Sequence, residues 1–178
     1  WRFPRVAPGH LWKSSRTSEI SREEKGDRSF WFILPGFLLV FFAPPLEWMY
    51  MSAILPRTIW LQISGLVLVV LGMALLIWAR SHIRGLYSGH VEIQSDHQLV
   101  QSGPYRWIRH PSYAGFLVLV LGVALGYSSL IGLCSIPVLL FPGLVYRMTV
   151  EEKLLGEQFG EDFSRYTAKT KRLFPGLW

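Results

Sequence analysis

No charged side chain stands between Arg57 and Arg80, and from Ile63 to Trp78 the only polar side chain is Ser64. A helix rises 1.5 Å per residue, so an apolar run of about 20 residues matches the roughly 30 Å hydrocarbon core of a bilayer. A span at about 57–79 therefore commits the chain to a membrane. Lipid offers backbone groups no partners, so a spanning segment of this kind must be helical.

Three further apolar segments follow the same logic. One covers about 29–50, where Pro35, Pro44 and Pro45 are expected to bend or break the helix. The other two share residues 113–146, which leaves short arms for two crossings. The pattern predicts a tight helical hairpin with spans at about 113–128 and 130–146. It turns near Tyr127-Ser128-Ser129, and Pro137 and Pro142 distort the return arm. The expected fold is all-α: a polytopic transmembrane helical protein with a cytoplasmic cofactor-binding loop and a C-terminal helix, forming a single integral-membrane domain over 1–178.

Composition agrees. The chain is 51% hydrophobic and only 17% charged, against about 25% charged in soluble domains. Eight Trp and seven Tyr suit aromatic anchoring at headgroup level. The net charge of +6 does not point to nucleic acid, because the basic residues flank apolar segments instead of forming one face. They cluster in 1–28, 80–112 and 147–178, and Arg57 alone falls in a connection assigned to the other side. With four crossings all three basic segments share one compartment, which the positive-inside rule makes the cytoplasm. Cys134 lies inside an apolar run and reads as a packing residue. A single cysteine excludes an intrachain disulfide and a multi-cysteine metal centre. His10, His82, His90, His97 and His110 match no zinc spacing, so no metal is expected. The first residue is Trp1, not Met, so the natural N-terminus is expected to be missing, and no signal peptide is recognisable.

Residues 80–112 show turn formers at Leu86 to His90 and a short alternating piece at Val91-Glu92-Ile93. From Met148 to about Thr170, Leu154, Leu155, Phe159, Phe163 and Tyr166 recur at helical steps, with Gly156 and Gly160 as possible interruptions. Two polar groups close the last hairpin. Arg109-His110-Pro111-Ser112-Tyr113 stands at its start, with Pro111 suited to a helix first turn whose N–H groups can face an anion. Arg147 and Glu151-Glu152 stand at its end. Arg147 and Glu151 share a helix face, where a plain i,i+4 pair is the simplest role. In a functional role the carboxylate accepts from a ribose or amino group and the arginine holds an anion through both its nitrogens. Arg109 and Tyr113 would equally serve as interfacial anchors. No phosphate-cradling glycine loop, dinucleotide fingerprint or nucleophile elbow is present.

These residues resemble the isoprenylcysteine carboxyl methyltransferase and phospholipid methyltransferase superfamily of integral-membrane enzymes, and most closely its prokaryotic members. The resemblance runs from about His82 to Pro175. It rests on His97-x-Leu99-Val100, Gly103-Pro104-Tyr105, Arg109-His110-Pro111-x-Tyr113-x-Gly115, Arg147, Glu151-Glu152, Phe159-Gly160-x-x-Phe163-x-x-Tyr166 and Arg172-Leu173-Phe174-Pro175. It implies S-adenosylmethionine as cofactor, bound in regions of about 82–113 and 147–175. His90, His97, Gln98, Leu99, Val100, Tyr105, His110, Pro111, Ser112, Tyr113 and Glu151 would line the cofactor. Arg147 would serve catalysis and face the acceptor, together with Glu152. Two departures touch the acceptor side: Leu86-Tyr87-Ser88 replaces an Asn-x-Trp-Ser-like stretch, and His90 stands where some members carry an amide. Relatives often have a further N-terminal helix, which would precede residues 1–28.

The implied reaction is methyl transfer to a lipophilic or prenylated acceptor at the cytoplasmic interface, most like carboxyl methylation of an isoprenylcysteine. Membrane lipids would be partners, while no nucleic acid and no obligatory protein partner is expected. A phospholipid-amine or small-thiol methyltransferase is an alternative. So is an NADPH-dependent reductase of the sterol type, or a non-catalytic scaffold of the same fold. Positioning and desolvation supply most of the acceleration in such a transfer, so no acid–base triad is required when the acceptor is already ionised.

Overall fold

A computed structural model of the protein describes residues 29–51, 55–83 and 99–176. In chain order they form α1 (Ser29–Tyr50), α2 (Ile59–His82), a 3-10 turn (Gly103–Arg106) and α3 (Pro111–Gly126). Then come α4 (Leu130–Ser135), a π-helical stretch (Ile136–Leu140), α5 (Phe141–Phe159) and α6 (Glu161–Lys169). Among the described residues the one extended pairing is a parallel bridge between Ile108 and Lys171. The all-α expectation holds.

Three stretches are long and apolar enough to cross a membrane: Ile33–Tyr50, Ile59–His82 and Leu130–Phe159. The shorter α3 has 16 residues, about 24 Å at the standard rise. Outward-facing residues of α2 are apolar and bare, with Leu66, Val70 and Ile77 each more than half exposed. A helix surface of that kind is matched to lipid rather than water.

One proline expectation needs correction. α1 runs unbroken through Pro35, Pro44 and Pro45. Proline is tolerated where neighbouring helices support the freed backbone. Here Pro44 is fully buried, with its ring close to Gly132 of α4. Gly36 and Gly143 bring α1 equally close to Leu140 and to α5. In the return arm the distortion expected from Pro137 and Pro142 is present as the π-helical stretch, through which the helix passes without a break from Leu130 into the charged region. The interruption falls at Gly160, whose φ of 52° is a left-handed value that favours glycine. The hairpin turn lies at Tyr127 to Ser129, as the sequence predicts, with Ser128 itself at φ 52°.

α2 and α3 form the closest helix pair. A Cβ at Gly72 would stand 2.5 Å from the Leu119 amide nitrogen, and one at Gly65 2.6 Å from the Gly122 carbonyl. Close backbone approach at small residues replaces the hydrophobic drive that lipid does not supply. Across the other face of α3, Val120 and Leu117 pack with Val40 of α1 and Leu140, Leu144 and Met148 of the return arm.

Inside this bundle α1 carries a buried carboxylate. Glu47 is only 4% exposed. It accepts from Ser129 Oγ at 2.6 Å, Leu130 N at 3.1 Å and Ile131 N at 3.2 Å. It thus caps the first turn of α4 from another helix, where an anion meets unpaired N–H groups and the positive end of the helix dipole. Arg57, the one arginine on the far side of the charge pattern, donates to the Trp48 and Met51 carbonyls at 2.9 and 3.2 Å. Its guanidinium carbon lies 4.2 Å from the Trp48 ring centroid. It closes the end of α1.

Candidate active site

Pro111 opens α3, and His110 stands at the N-cap. The segment before them is fixed by backbone pairing. Arg109 N donates to the Lys171 carbonyl at 2.7 Å and His110 N to the Arg172 carbonyl at 3.0 Å. Lys171 N returns to the Trp107 carbonyl at 3.2 Å. Residues some sixty positions apart in the chain are thereby zipped together, which places His110 and Tyr113 against α5.

α5 supplies Arg147, Glu151 and Glu152. Glu151 accepts from Tyr113 Oη at 2.5 Å and from Arg147 Nε at 3.2 Å, both on Oε1. Its Oε2 lies 3.5 Å from His110 Nδ1. Glu152 Oε1 accepts from Arg109 Nε at 2.8 Å and faces His110 Nε2 at 3.2 Å. Its Oε2 takes Arg172 Nε at 3.0 Å and Nη2 at 2.8 Å. Arg109 also donates through Nη1 to the Thr167 and Thr170 carbonyls at 3.3 and 2.6 Å. Those are the orphan acceptors at the C-terminal end of α6, where a cation is favoured.

His110 is the bridge between the two carboxylates. Burial of its ring, only 6% exposed, disfavours the imidazolium. The hydrogen bonds and charges of Glu151 and Glu152 outweigh burial and raise its pKa above the ordinary 6.5. Protonated, it donates from both nitrogens, one to each glutamate. Among the described residues, Arg109, His110, Arg147 and Arg172 then surround two anions, which makes this cluster cationic and suited to holding a further anionic group. On α6, burial raises the Tyr166 pKa above its ordinary value, and its hydroxyl donates to the Tyr105 carbonyl at 2.7 Å.

The structure brings His110, Tyr113, Arg147, Glu151 and Glu152 into one network. Pro111 is buried and Ser112 half-buried in the first turn of α3. Tyr105 stands on the 3-10 turn, tied to α6, and Leu99 and Val100 precede that turn half-buried. His90, His97 and Gln98 lie outside the described residues. Two members of the network were not singled out as site residues from sequence. Arg109 and Arg172 both sit in the motifs quoted above, but their convergence on Glu152 depends on the backbone pairing of 107–110 with 171–172.

The model of the isoprenylcysteine carboxyl methyltransferase family matches residues 65–157, which takes in most of α2, all of α3 and most of α5. The chain belongs to this family. The protein-S-isoprenylcysteine O-methyltransferase of Saccharomyces cerevisiae is 34% identical over 110 residues, covering 60% of this chain and 46% of the relative. The human enzyme of the same name is 33% identical over 128 residues, covering 69% of this chain and 43% of its own. An uncharacterised Bacillus subtilis protein, YpbQ, is 26% identical over 75% of this chain and 78% of its own. The chain thus spans less than half the length of the two named methyltransferases. A solved structure of the eukaryotic intramembrane Ras methyltransferase of this family aligns over 93% of this chain and 55% of its own, with a TM-score of 0.58 and 24% identity. That likeness is one of fold, and with the three apolar stretches it makes the protein an integral membrane protein.

Proposed function

We propose that the protein transfers a methyl group from S-adenosylmethionine to a lipophilic acceptor at the membrane interface, most like carboxyl methylation of an isoprenylcysteine-type substrate. The observation that carries this reading is the cationic His110–Glu151–Arg147 cluster, placed where α3 and α5 leave the apolar bundle in a member of this family. The relatives' names point to the same reaction. A cationic cluster also favours a carboxylate acceptor over an amine.

The donor set fits the cofactor by chemistry. A carboxylate offers about four acceptor positions, and Tyr113, Arg147 and His110 occupy three on Glu151. A ribose hydroxyl or ammonium group suits the remaining one. When bound, S-adenosylmethionine supplies an electrophilic methyl on a sulfonium. The protein's part is positioning. Glu151, oriented by Tyr113 and His110, holds the cofactor together with Leu99, Val100, Tyr105 and the Pro111–Tyr113 turn, and with His90, His97 and Gln98 of the preceding segment. Arg147 faces the acceptor carboxylate. Glu152, enclosed by Arg109, His110 and Arg172, anchors the walls of the site rather than contacting substrate. Arg147 and Glu151 are half-buried, which limits the water that would solvate an incoming nucleophile.

Glu151→Ala is expected to weaken S-adenosylmethionine binding by about 1.5–3 kcal/mol, since it removes a charged partner. Calorimetry on the purified protein checks this, with Cys134→Ala as an unchanged control. Unaltered affinity in Glu151→Ala would remove this carboxylate from the pocket. The basic segments flanking the helices support a site on the cytoplasmic face. Cysteines introduced at Ser102 and Ser164 are expected to react with an impermeant label from that side only. Labelling of the two from opposite sides would overturn the orientation.

A further inference from the structure

Past the Gly72–Gly115 contact, the end of α2 and the start of α3 enclose a cleft of about 270 Å³. Its walls include Leu75 and Trp78 of α2, Val118 of α3, Trp107, and Leu173 and Phe174 of the C-terminal tail, all apolar. The rim is different. The exposed Arg106 places its guanidinium carbon 4.8 Å from the Trp107 ring centroid. Lys171, also exposed, pairs through its backbone with the cleft residue Ile108. Lys171 also stands two residues before the cleft residue Leu173. The Trp78 and Trp107 rings lie 5.9 Å apart at this rim.

The cleft is not the acceptor cluster. His110 and Tyr113 turn to α5, where they meet Glu151 and Glu152. Ala114 and Val118 of the same helix turn to the cleft and α2. An acceptor whose carboxylate reaches Arg147 would lie on the α5 side of α3. What the cleft offers is a slot for one hydrocarbon chain, a tryptophan pair at headgroup level and two cations beside it, with no carboxylate in its wall. We propose that this cleft holds an anionic phospholipid of the surrounding membrane, with one acyl chain between α2 and α3 and its phosphate against Arg106 and Lys171. Basic side chains at a membrane surface favour anionic headgroups, and tryptophan sits at the same depth. The proposal stands apart from methyl transfer: loss of cofactor binding would leave it untouched.

Native mass spectrometry of the full chain in neutral detergent tests it, with dioleoylphosphatidylglycerol and dioleoylphosphatidylcholine as probes. The glycerol lipid is expected to be retained about tenfold more tightly. The double variant R106Q/K171Q, changed at two exposed positions, is expected to lower it to the choline lipid's level while leaving the latter unchanged. Val118→Phe, which narrows the cleft, is expected to reduce retention of both. Equal retention by the parent, or a preference that survives in R106Q/K171Q, would overturn the proposal. So would unchanged retention in Val118→Phe. Displacement of the bound lipid by N-acetyl-S-farnesylcysteine would also overturn it, by making the cleft part of the acceptor's path.

Discussion

Glu152→Ala is expected to destabilise the protein by about 3–5 kcal/mol, because it strips one carboxylate from three buried or half-buried cations. Arg109 and Glu152 are each about 12% exposed at the side chain, and His110 is 6% exposed. None of them regains full hydration when the partner leaves. The loss also reaches the backbone, since Arg109 holds the end of α6 and Arg172 belongs to the tail paired with 107–110. Thermal unfolding followed by circular dichroism in detergent measures the effect, and Glu152→Gln, which keeps shape without charge, is expected to fall between. His110 adds a pH signature. Its folded pKa is raised above 6.5, so its contribution is complete below about 6.5 and disappears as pH rises through the raised value. The parent is therefore expected to lose stability over that window. The variant, with one of the two carboxylates gone, loses less. A Glu152→Ala protein that melts with the parent would show the network to be peripheral.

The membrane helices were legible in the sequence because lipid imposes a single rule, an uncharged run of sufficient length, and the Arg57-to-Arg80 interval meets it. The hairpin turn was legible from Tyr127-Ser128-Ser129 for a similar reason: it is the one place in a 34-residue apolar stretch where two serines stand side by side. The break expected in α1 does not occur. Proline penalises a helix through a missing N–H and a local clash, but the cost depends on neighbours that sequence does not show. Pro44 rests against Gly132, and the π-helical stretch takes up Pro137 and Pro142.

For the site, residue types were readable and their connections were not. His110, Tyr113, Arg147, Glu151 and Glu152 stand out as ionisable groups at the ends of apolar arms, an expensive placement that marks a site. Nothing in the order of residues tells that Arg109 and Arg172 close on Glu152, because that contact follows from two extended segments pairing across sixty positions. Glu47 carried the same signal as the site residues, a carboxylate inside an apolar segment, and was passed over. Its partners are the N–H groups of a helix start more than eighty residues away, and only the packing of α1 on α4 reveals the need for an anion there.

Arg147→Lys is expected to cut methyl transfer roughly 100-fold, the scale of losing one positioned donor to a developing or resident anion, while S-adenosylmethionine affinity changes little. The argument rests on geometry and not on charge, since lysine keeps the charge. Arg147 directs Nε to Glu151 Oε1 at 3.2 Å across one helical turn. A guanidinium carries five N–H donors in one plane, so it can be shared between Glu151 and a carboxylate. A single ammonium on a flexible stem offers no such fork, so it must choose between the two anions. The choice separates three outcomes by kinetics and calorimetry on the same variant. Retained cofactor binding with a collapsed kcat supports the acceptor-facing role in carboxyl methylation. Near-parental kcat with an amine acceptor would show that no bidentate anion contact exists and would exclude a carboxylate substrate. Cofactor binding and activity lost in parallel would mean that Arg147 acts only by holding Glu151 in place, and the acceptor's carboxylate would then need another cation of the cluster as its partner.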